Sequence, residues 1–236
     1  MSDTELRRMV SHACKVLYAA GQEHFYLGHV SAREPGSAKI WVKPSGLGLG
    51  EIEPDDVVAC DLDARQLEGK RALHHEMPIH TEIYRRRPDV TCVVHTHPFH
   101  TAAYASADAE FQMVSQDSVL FAGGVGHYDS ATLVVTREQG ERLATALGDT
   151  NAVVLKNHGI AIADQSVEGA VFLALSFDRS LRMQHAAGQF GAVDPIPEHE
   201  VNEMIDYFTA SYGGRIQTTW NYLLRQAGLA ARDDAQ

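Results

Sequence analysis

The chain has 236 residues, 44% of them hydrophobic and 22% charged, with a formal net charge of −11. Such a chain can bury a sizeable core, and the composition is that of an ordinary globular protein. The acidic balance argues against nucleic acid or an anionic membrane as partner, no run approaches the ~20 apolar residues of a membrane span, and 3 scattered cysteines with no CxxC pair fit a reducing, cytoplasmic setting.

In chain order, Ser2-Asp3-Thr4-Glu5 opens a helix, with Met9, Val10, Ala13, Val16, Leu17 and Ala20 at helical spacing and Gly21 as its end. This N-terminal segment lacks the apolar core of a signal peptide. Gly28–Arg33 and Lys39–Val42 read as two strands around Glu34-Pro35-Gly36-Ser37, followed by a loop at Pro44-Ser45-Gly46 and a strand at Asp56–Asp61. Glu76–Arg87 reads as a helix with Pro78 in its first turn, where the missing N–H costs little, and with Arg85–Arg87 as a solvated C-terminal end. Thr91–His97 is a buried strand whose end turns polar. Thr101–Ala107 reads as a helix, Val119–Phe121 and Leu133–Thr136 as strand-like, and Glu138–Leu147 as a helix closed by Gly148. Two apolar runs either side of Asn157-His158-Gly159 predict a hairpin or tight bend. Val167–Ala187 is a long helix with Ser166 as N-cap, Val201–Ser211 and Ile216–Gln226 are two further helices, and Asp233-Asp234-Ala235-Gln236 is a frayed tail. The irregular alternation predicts an α/β fold with a mixed or antiparallel sheet, and with no long polar linker residues 1–236 are read as a single domain.

Histidines concentrate in one stretch, HHEMPIHTEIYRRRPDVTCVVHTHP from His74 to Pro98. On a strand, His95 and His97 share a face, and two imidazoles at a strand end can grip one ion. His158, beside Gly159 at the bend between apolar runs, is the best candidate for a third ligand. Glu76 and His80 lie i, i+4 on the preceding helix, Glu76 as a fourth ligand or general acid/base and His80 as outer support. A pH sensor also clusters histidines, but has no need of a pair aligned on a strand end with a carboxylate upstream.

The order GxxSxR, PSG, ExxxH, HTHP, NHG resembles the class II aldolase/adducin family over about Glu5 to Arg215. The resemblance implies a single three-layer α/β/α domain with a central, mostly antiparallel sheet. It implies a divalent metal, zinc or manganese, on His95, His97 and His158, with Glu76 as the proton-shuttling carboxylate that also coordinates the resting metal. It further implies a homotetramer with sites at subunit interfaces, where Tyr212 of Tyr212-Gly213-Gly214-Arg215 reaches a neighbour's site.

The chain also departs from the sugar-phosphate aldolases of that family. Ser31 and Ser45-Gly46 are kept, but His29 replaces an asparagine and His74-His75 replace a serine pair that forms a compact anion nest. Imidazoles at these positions suit a flat carboxylated substrate, with His29, Ser31, Ser45, Gly46, His74 and His75 as contacts. Ahead of Ala122-Gly123-Gly124, where some aldolases place a tyrosine, stands Val114-Ser115-Gln116-Asp117. The leading expectation is therefore a metal-dependent lyase that decarboxylates a small hydroxylated, aromatic or heteroaromatic carboxylate. Aldol cleavage is the alternative, then dehydration or epimerisation of a sugar derivative. An adducin-like scaffold loses the metal ligands, which this chain retains.

Overall fold

The computed structural model describes residues 1–230; the tail at Asp233–Gln236 lies outside the described residues. Strands run in the order β4-β3-β2-β1-β5-β8-β7-β6: β1 His29–Ala32, β2 Ile40–Val42, β3 Val58–Cys60, β4 Gln66–Glu68, β5 Cys92–Thr96, β6 Gly126–Tyr128, β7 Ala152–Leu155 and β8 Gly159–Asp164. All neighbours pair antiparallel except β6 with β7. The helices are α1 Asp3–Ala19, α2 Met77–Arg86, α3 Phe99–Tyr104, α4 Arg137–Leu147, α5 Val167–Phe190 and α6 Glu198–Gln226.

Side-chain alternation along the strands sorts the apolar residues into two cores, because successive strand residues face opposite sides. Val30, Ala32, Trp41, Ala59, Cys92, Val94, Ile160 and Ile162 pack with α1 and α5. Ile40, Val42, Val58, Cys60, Val93, Val153, Ala161 and Ala163 pack with α2 and α4 on the other side. The result is the expected α/β/α arrangement, with helices on both faces of a largely antiparallel sheet. No helix among the described residues is long and apolar enough to cross a membrane.

Helix starts follow local chemistry. At α1 the Ser2 hydroxyl accepts from the Glu5 N–H and the Glu5 carboxylate accepts from the Ser2 N–H, a reciprocal cap. At α5 the Ser166 hydroxyl accepts from the Gly169 N–H at 3.0 Å.

Several expected elements differ. Ser118–Phe121 is a 3-10 turn and Leu133–Thr136 forms no strand. The Val134 N–H there donates to Glu76 and the Val135 and Thr136 N–H groups donate to Gln139, so side chains take the bonds a strand partner would. The two C-terminal helices are one continuous α6, since Gly213-Gly214 costs a helix only about 1 kcal/mol per residue and does not stop it. Helix α3 begins at Phe99, directly after Pro98. The basic run is less solvated than its composition implied: Arg87 donates to the Gly148 and Thr150 carbonyls and pairs with Asp89.

Candidate metal centre and proton-transfer site

Antiparallel pairing of β1, β5 and β8 builds the site. His29 sits opposite His95, and His95 opposite Ala161, so His29, Ser31 and His95 face the α2 side of the sheet. The β7–β8 hairpin turns through Lys156-Asn157-His158, with Asn157 in the left-handed region at φ 54. This turn carries His158 back over the end of β5. One ligand atom each from His95, His97 and His158 lies within 4.8 Å of the others. The turn also requires Gly159: a Cβ there would meet the Thr96 carbonyl oxygen at 2.5 Å and the His97 ring at 2.6 Å. Gly159→Ala is therefore expected to displace His97 and cost about 1–3 kcal/mol of stability, read as a lower Tm together with reduced metal content.

Burial holds these imidazoles neutral. His95 is fully buried and falls well below the ordinary imidazole range; burial brings His97 down to about 3, and also lowers His158. The His95 Nδ1–H donates to the Ile160 carbonyl at 3.0 Å, which leaves the Nε2 lone pair for the cluster. His97 Nε2 lies 2.8 Å from that atom. Three converging neutral imidazoles are a donor set suited to a divalent cation such as zinc. They fit the metal that the HxH pattern predicts.

Glu76 is the N-cap residue of α2, where Pro78 sits in the first turn without loss of a helical hydrogen bond. Its Oε2 lies 3.8 Å from His158 Nε2 and 4.0 Å from His95 Nε2. With neutral imidazoles these separations are not ion pairs; they leave the carboxyl beside the triad. Burial raises the Glu76 pKa, opposed by the Val134 N–H that donates to Oε1 at 3.2 Å. A carboxyl so placed is suited to hold and deliver a proton.

Behind the triad runs a buried polar file. His29 Nδ1 is 2.6 Å from His80 Nε2, the Ser31 hydroxyl is 2.6 Å from His80 Nδ1 and 2.8 Å from the Tyr84 hydroxyl, and Tyr84 donates to the Thr91 carbonyl at 3.4 Å. Burial pushes both histidines down, His80 to about 3. His80 thus supports His29, through one nitrogen, and leaves the other His29 nitrogen for the site.

Next to His29 lies His74, ring centroids 4.4 Å apart. The His74 Nε2–H donates to the Pro44 carbonyl at 2.9 Å, and the Ser45 N–H donates to the Ala72 carbonyl at 2.9 Å, so the Pro44-Ser45-Gly46 loop and the segment before Glu76 are tied together. Gly46 has φ 84, a conformation that favours glycine. Burial lowers His74 to about 4. Both His29 and His74 are therefore neutral at neutral pH and meet a substrate as uncharged rings. His75 is exposed and lines a cleft with Glu82, Arg85 and Arg137 that His74 also borders; of the pair, it is the His74 ring that packs against His29.

Tyr212 lies elsewhere in its own chain. It lines a cavity of ≈ 1010 Å³ with Arg87, Asp164 and Glu168, its ring 6.4 Å from Phe172. Asp164 pairs with Cys92, at the opposite end of the β5–β8 ladder from His95.

Two residues of the site have no signature in the sequence pattern. Lys43 is fully buried, with its ammonium donating to the Tyr26 carbonyl at 3.1 Å and lying 3.4 Å from His74 Nε2; burial lowers it to about 8. His24 Nδ1 is 3.3 Å from His97 Nδ1. Lys43 merely follows an apolar strand, and His24 sits in an irregular loop, so neither has a periodicity or motif to mark it.

Comparison with known proteins places this geometry. The profile of the Class II Aldolase and Adducin N-terminal domain matches residues 8–185. A 3,4-dihydroxyphthalate decarboxylase of Arthrobacter keyseri is 33% identical over 243 residues, which cover 95% of this chain and 94% of the relative. A 5-deoxy-D-ribulose 1-phosphate aldolase of Bacillus thuringiensis serovar kurstaki is 27% identical, covering 77% and 84%. Among solved structures, an aldolase II superfamily protein from Pseudomonas syringae shares the fold with a TM-score of 0.87 at 24% identity, covering 96% of this chain and 94% of that one. L-fuculose 1-phosphate aldolase from Glaciozyma antarctica does so at 0.84 and 22%, covering 95% and 90%. On a profile match that spans most of its length, and with named lyases among its relatives, the chain belongs to the class II aldolase and adducin family and is a lyase.

Proposed function

We propose that the protein is a divalent-metal-dependent decarboxylase of a small hydroxylated aromatic or heteroaromatic carboxylate. The observation that carries this reading is the His29–His74 ring pair beside Glu76 and the three-histidine cluster. Flat, neutral imidazole faces complement a ring, whereas a phosphate group calls for compact donors of constant charge. The 33%-identical relative named 3,4-dihydroxyphthalate decarboxylase supports the same substrate class.

His95, His97 and His158 would hold zinc or manganese, and Glu76 would be an additional ligand in the resting site. The bound metal supplies Lewis acidity to oxygens on the substrate. The chain's own groups do the rest. His74, packed against His29, offers an imidazole face to the ring, and the free His29 nitrogen orients its carboxylate, with Ser31 and the Ser45-Gly46 loop as neighbouring polar contacts. When the carbon–carboxylate bond breaks, CO2 leaves and the electron pair stays on the ring carbon. Protonated Glu76 gives that carbon its proton and recovers one from water. Burial favours the protonated carboxyl this step needs.

The deciding experiment is CO2 release from 3,4-dihydroxyphthalate and related ortho-hydroxy carboxylates, run beside aldol cleavage of 5-deoxyribulose 1-phosphate and fuculose 1-phosphate. Decarboxylation without aldol activity supports the reading. Aldol cleavage alone replaces it with the second reading, which the 27%-identical aldolase relative favours.

Binding should carry a distinct pH signature. With His29 and His74 neutral, inhibition by a hydroxybenzoate-type competitor is expected to stay level from pH 6 to 7 and weaken as Lys43 loses its charge above about 8. The sign follows from Lys43: it is cationic below that pKa, attracts the carboxylate there, and is neutral above it. A competitor Ki that rises across pH 6–7 contradicts this assignment.

The protein is further read as a cytoplasmic homotetramer in which Tyr212 completes a neighbour's site as a proton-handling group. The separation of Tyr212 from the histidines of its own chain supports a role in trans. Mixing Tyr212→Phe and Glu76→Gln chains should restore part of the activity that each lacks. A mixture no more active than its components, or a monomer by light scattering, rejects that arrangement.

A further inference from the structure

We propose that His24 is a positioning residue for the metal ligand His97, carried on a loop that is pinned to the end of β5 for this purpose. The inference rests on the metal reading of the three-histidine cluster.

A histidine that gives one nitrogen to a metal needs its other N–H held, or the ring turns and the ligand geometry loosens. His95 lies within β5 and finds its acceptor in the sheet, the Ile160 carbonyl. His97 lies past the last residue of β5, where the ladder has ended. Its acceptor has to come from another part of the chain. The group at that nitrogen is His24 Nδ1, 3.3 Å away, with the two rings edge to face at 81°. With His97 Nε2 given to the metal beside His95 Nε2, the proton of His97 resides on Nδ1 and is donated to His24 Nδ1. His24 is not among the converging ligand atoms of His95, His97 and His158, so it acts on the metal only through His97.

The loop that delivers His24 is specialised. It is bracketed by Gly21 and Gly28, with φ 79 and 80, and between them Phe25 adopts φ 53, a conformation a phenylalanine rarely takes. Such conformations persist where the surroundings enforce them, often at functional sites. Here the enforcement is visible. Buried Gln22 accepts from the Thr96 hydroxyl at 2.8 Å and donates to the Ala174 carbonyl at 3.1 Å. Farther along, the Leu27 N–H donates to the His24 carbonyl at 2.9 Å and the Lys43 ammonium holds the Tyr26 carbonyl. Two residues of the loop, separated by one, thus grip two consecutive residues at the end of β5: Gln22 takes Thr96, and His24 takes His97. A loop with only a packing role has no need to match the strand end in this way. His24 itself is exposed, so it contributes no core burial that would explain its retention in a strained turn.

The test is zinc affinity of the full, untagged chain, measured by competition against a chromophoric chelator, with no substrate present. His24→Phe keeps the ring and removes the acceptor; it is expected to weaken zinc binding about 10–100-fold, the usual effect of losing an outer hydrogen-bond partner. His24→Gln returns an acceptor oxygen and should recover most of that loss. Metal-free melting temperatures of both variants should match the parent. Wild-type zinc affinity in His24→Phe overturns the proposal, and so does an equal loss in both variants, which means the ring's shape matters rather than its bond to His97. A parent chain that binds no zinc, while His97→Ala changes nothing, instead overturns the metal reading and this inference with it.

Discussion

Glu76→Gln is expected to lower the turnover number by at least about 10²-fold while keeping the fold and most of the bound metal, the usual scale for loss of a general acid or base. The substitution is close to isosteric. The amide oxygen still accepts from the Val134 N–H, so the segment before α4 stays tied to the start of α2. What disappears is a proton that can be held and released. Because burial favours the protonated carboxyl, wild-type Glu76 has that proton available where an exposed glutamate does not. The loss should therefore fall on kcat, with little change in KM, since an amide fills the same space beside the substrate. Steady-state CO2 release at saturating metal measures it. Turnover within a few-fold of wild type moves the proton-transfer role to another group.

His97→Ala should do something different: remove nearly all bound metal, and activity with it. The triad loses one of its three imidazoles, and His95 and His158, even with the Glu76 carboxylate beside them, are too weak a set to retain an ion firmly. The loss should exceed the ~10–100-fold expected for an outer partner, because a ligand itself is gone. The chain should still fold. His97 is only partly buried at the strand end, and the two apolar cores contain no part of it. Metal content by elemental analysis on protein purified without a histidine tag, with a melting curve alongside, checks both halves. Stoichiometric metal in the variant rejects the ligand assignment.

Much of this was legible locally. The capped start of α1, the proline in the first turn of α2 and the apolar runs flanking Asn157-His158-Gly159 each carry their signal in adjacent residues. Elements stabilised from outside left weaker marks. Gln66–Glu68 is an exposed edge strand with one apolar residue, and Gly126–Tyr128 becomes a strand only because β7 offers it a parallel partner. The site divides in the same way. His95, His97 and Glu76 are neighbours in one stretch, and the Gly after His158 marks a turn. Which residues face them is a matter of register across β1, β5 and β8, and no local pattern states that His29 lies opposite His95. The neutrality of His29 and His74 is a consequence of burial, and burial at a site is a property of the assembled sheet. Lys43 and His24 depend on loop paths that periodicity does not describe.

The separation of the two cores has a practical meaning for anyone who alters this protein. Apart from Gln22 and Thr96, which pin the His24 loop to α5, and Tyr212 on α6, the groups described lie on the α2 side of the sheet, and the apolar core on the α1 and α5 side contains none of the three histidines, Glu76, His29 or His74. Robustness and reactivity can therefore be tuned as separate traits. Volume-conserving exchanges at Leu6, Val171 or Phe177 would shift the temperature at which the chain melts, while selection for a new substrate worked on His29 and His74 through the opposite face. A library that spreads its changes evenly would confound the two. One divided by face would let each trait answer to its own screen.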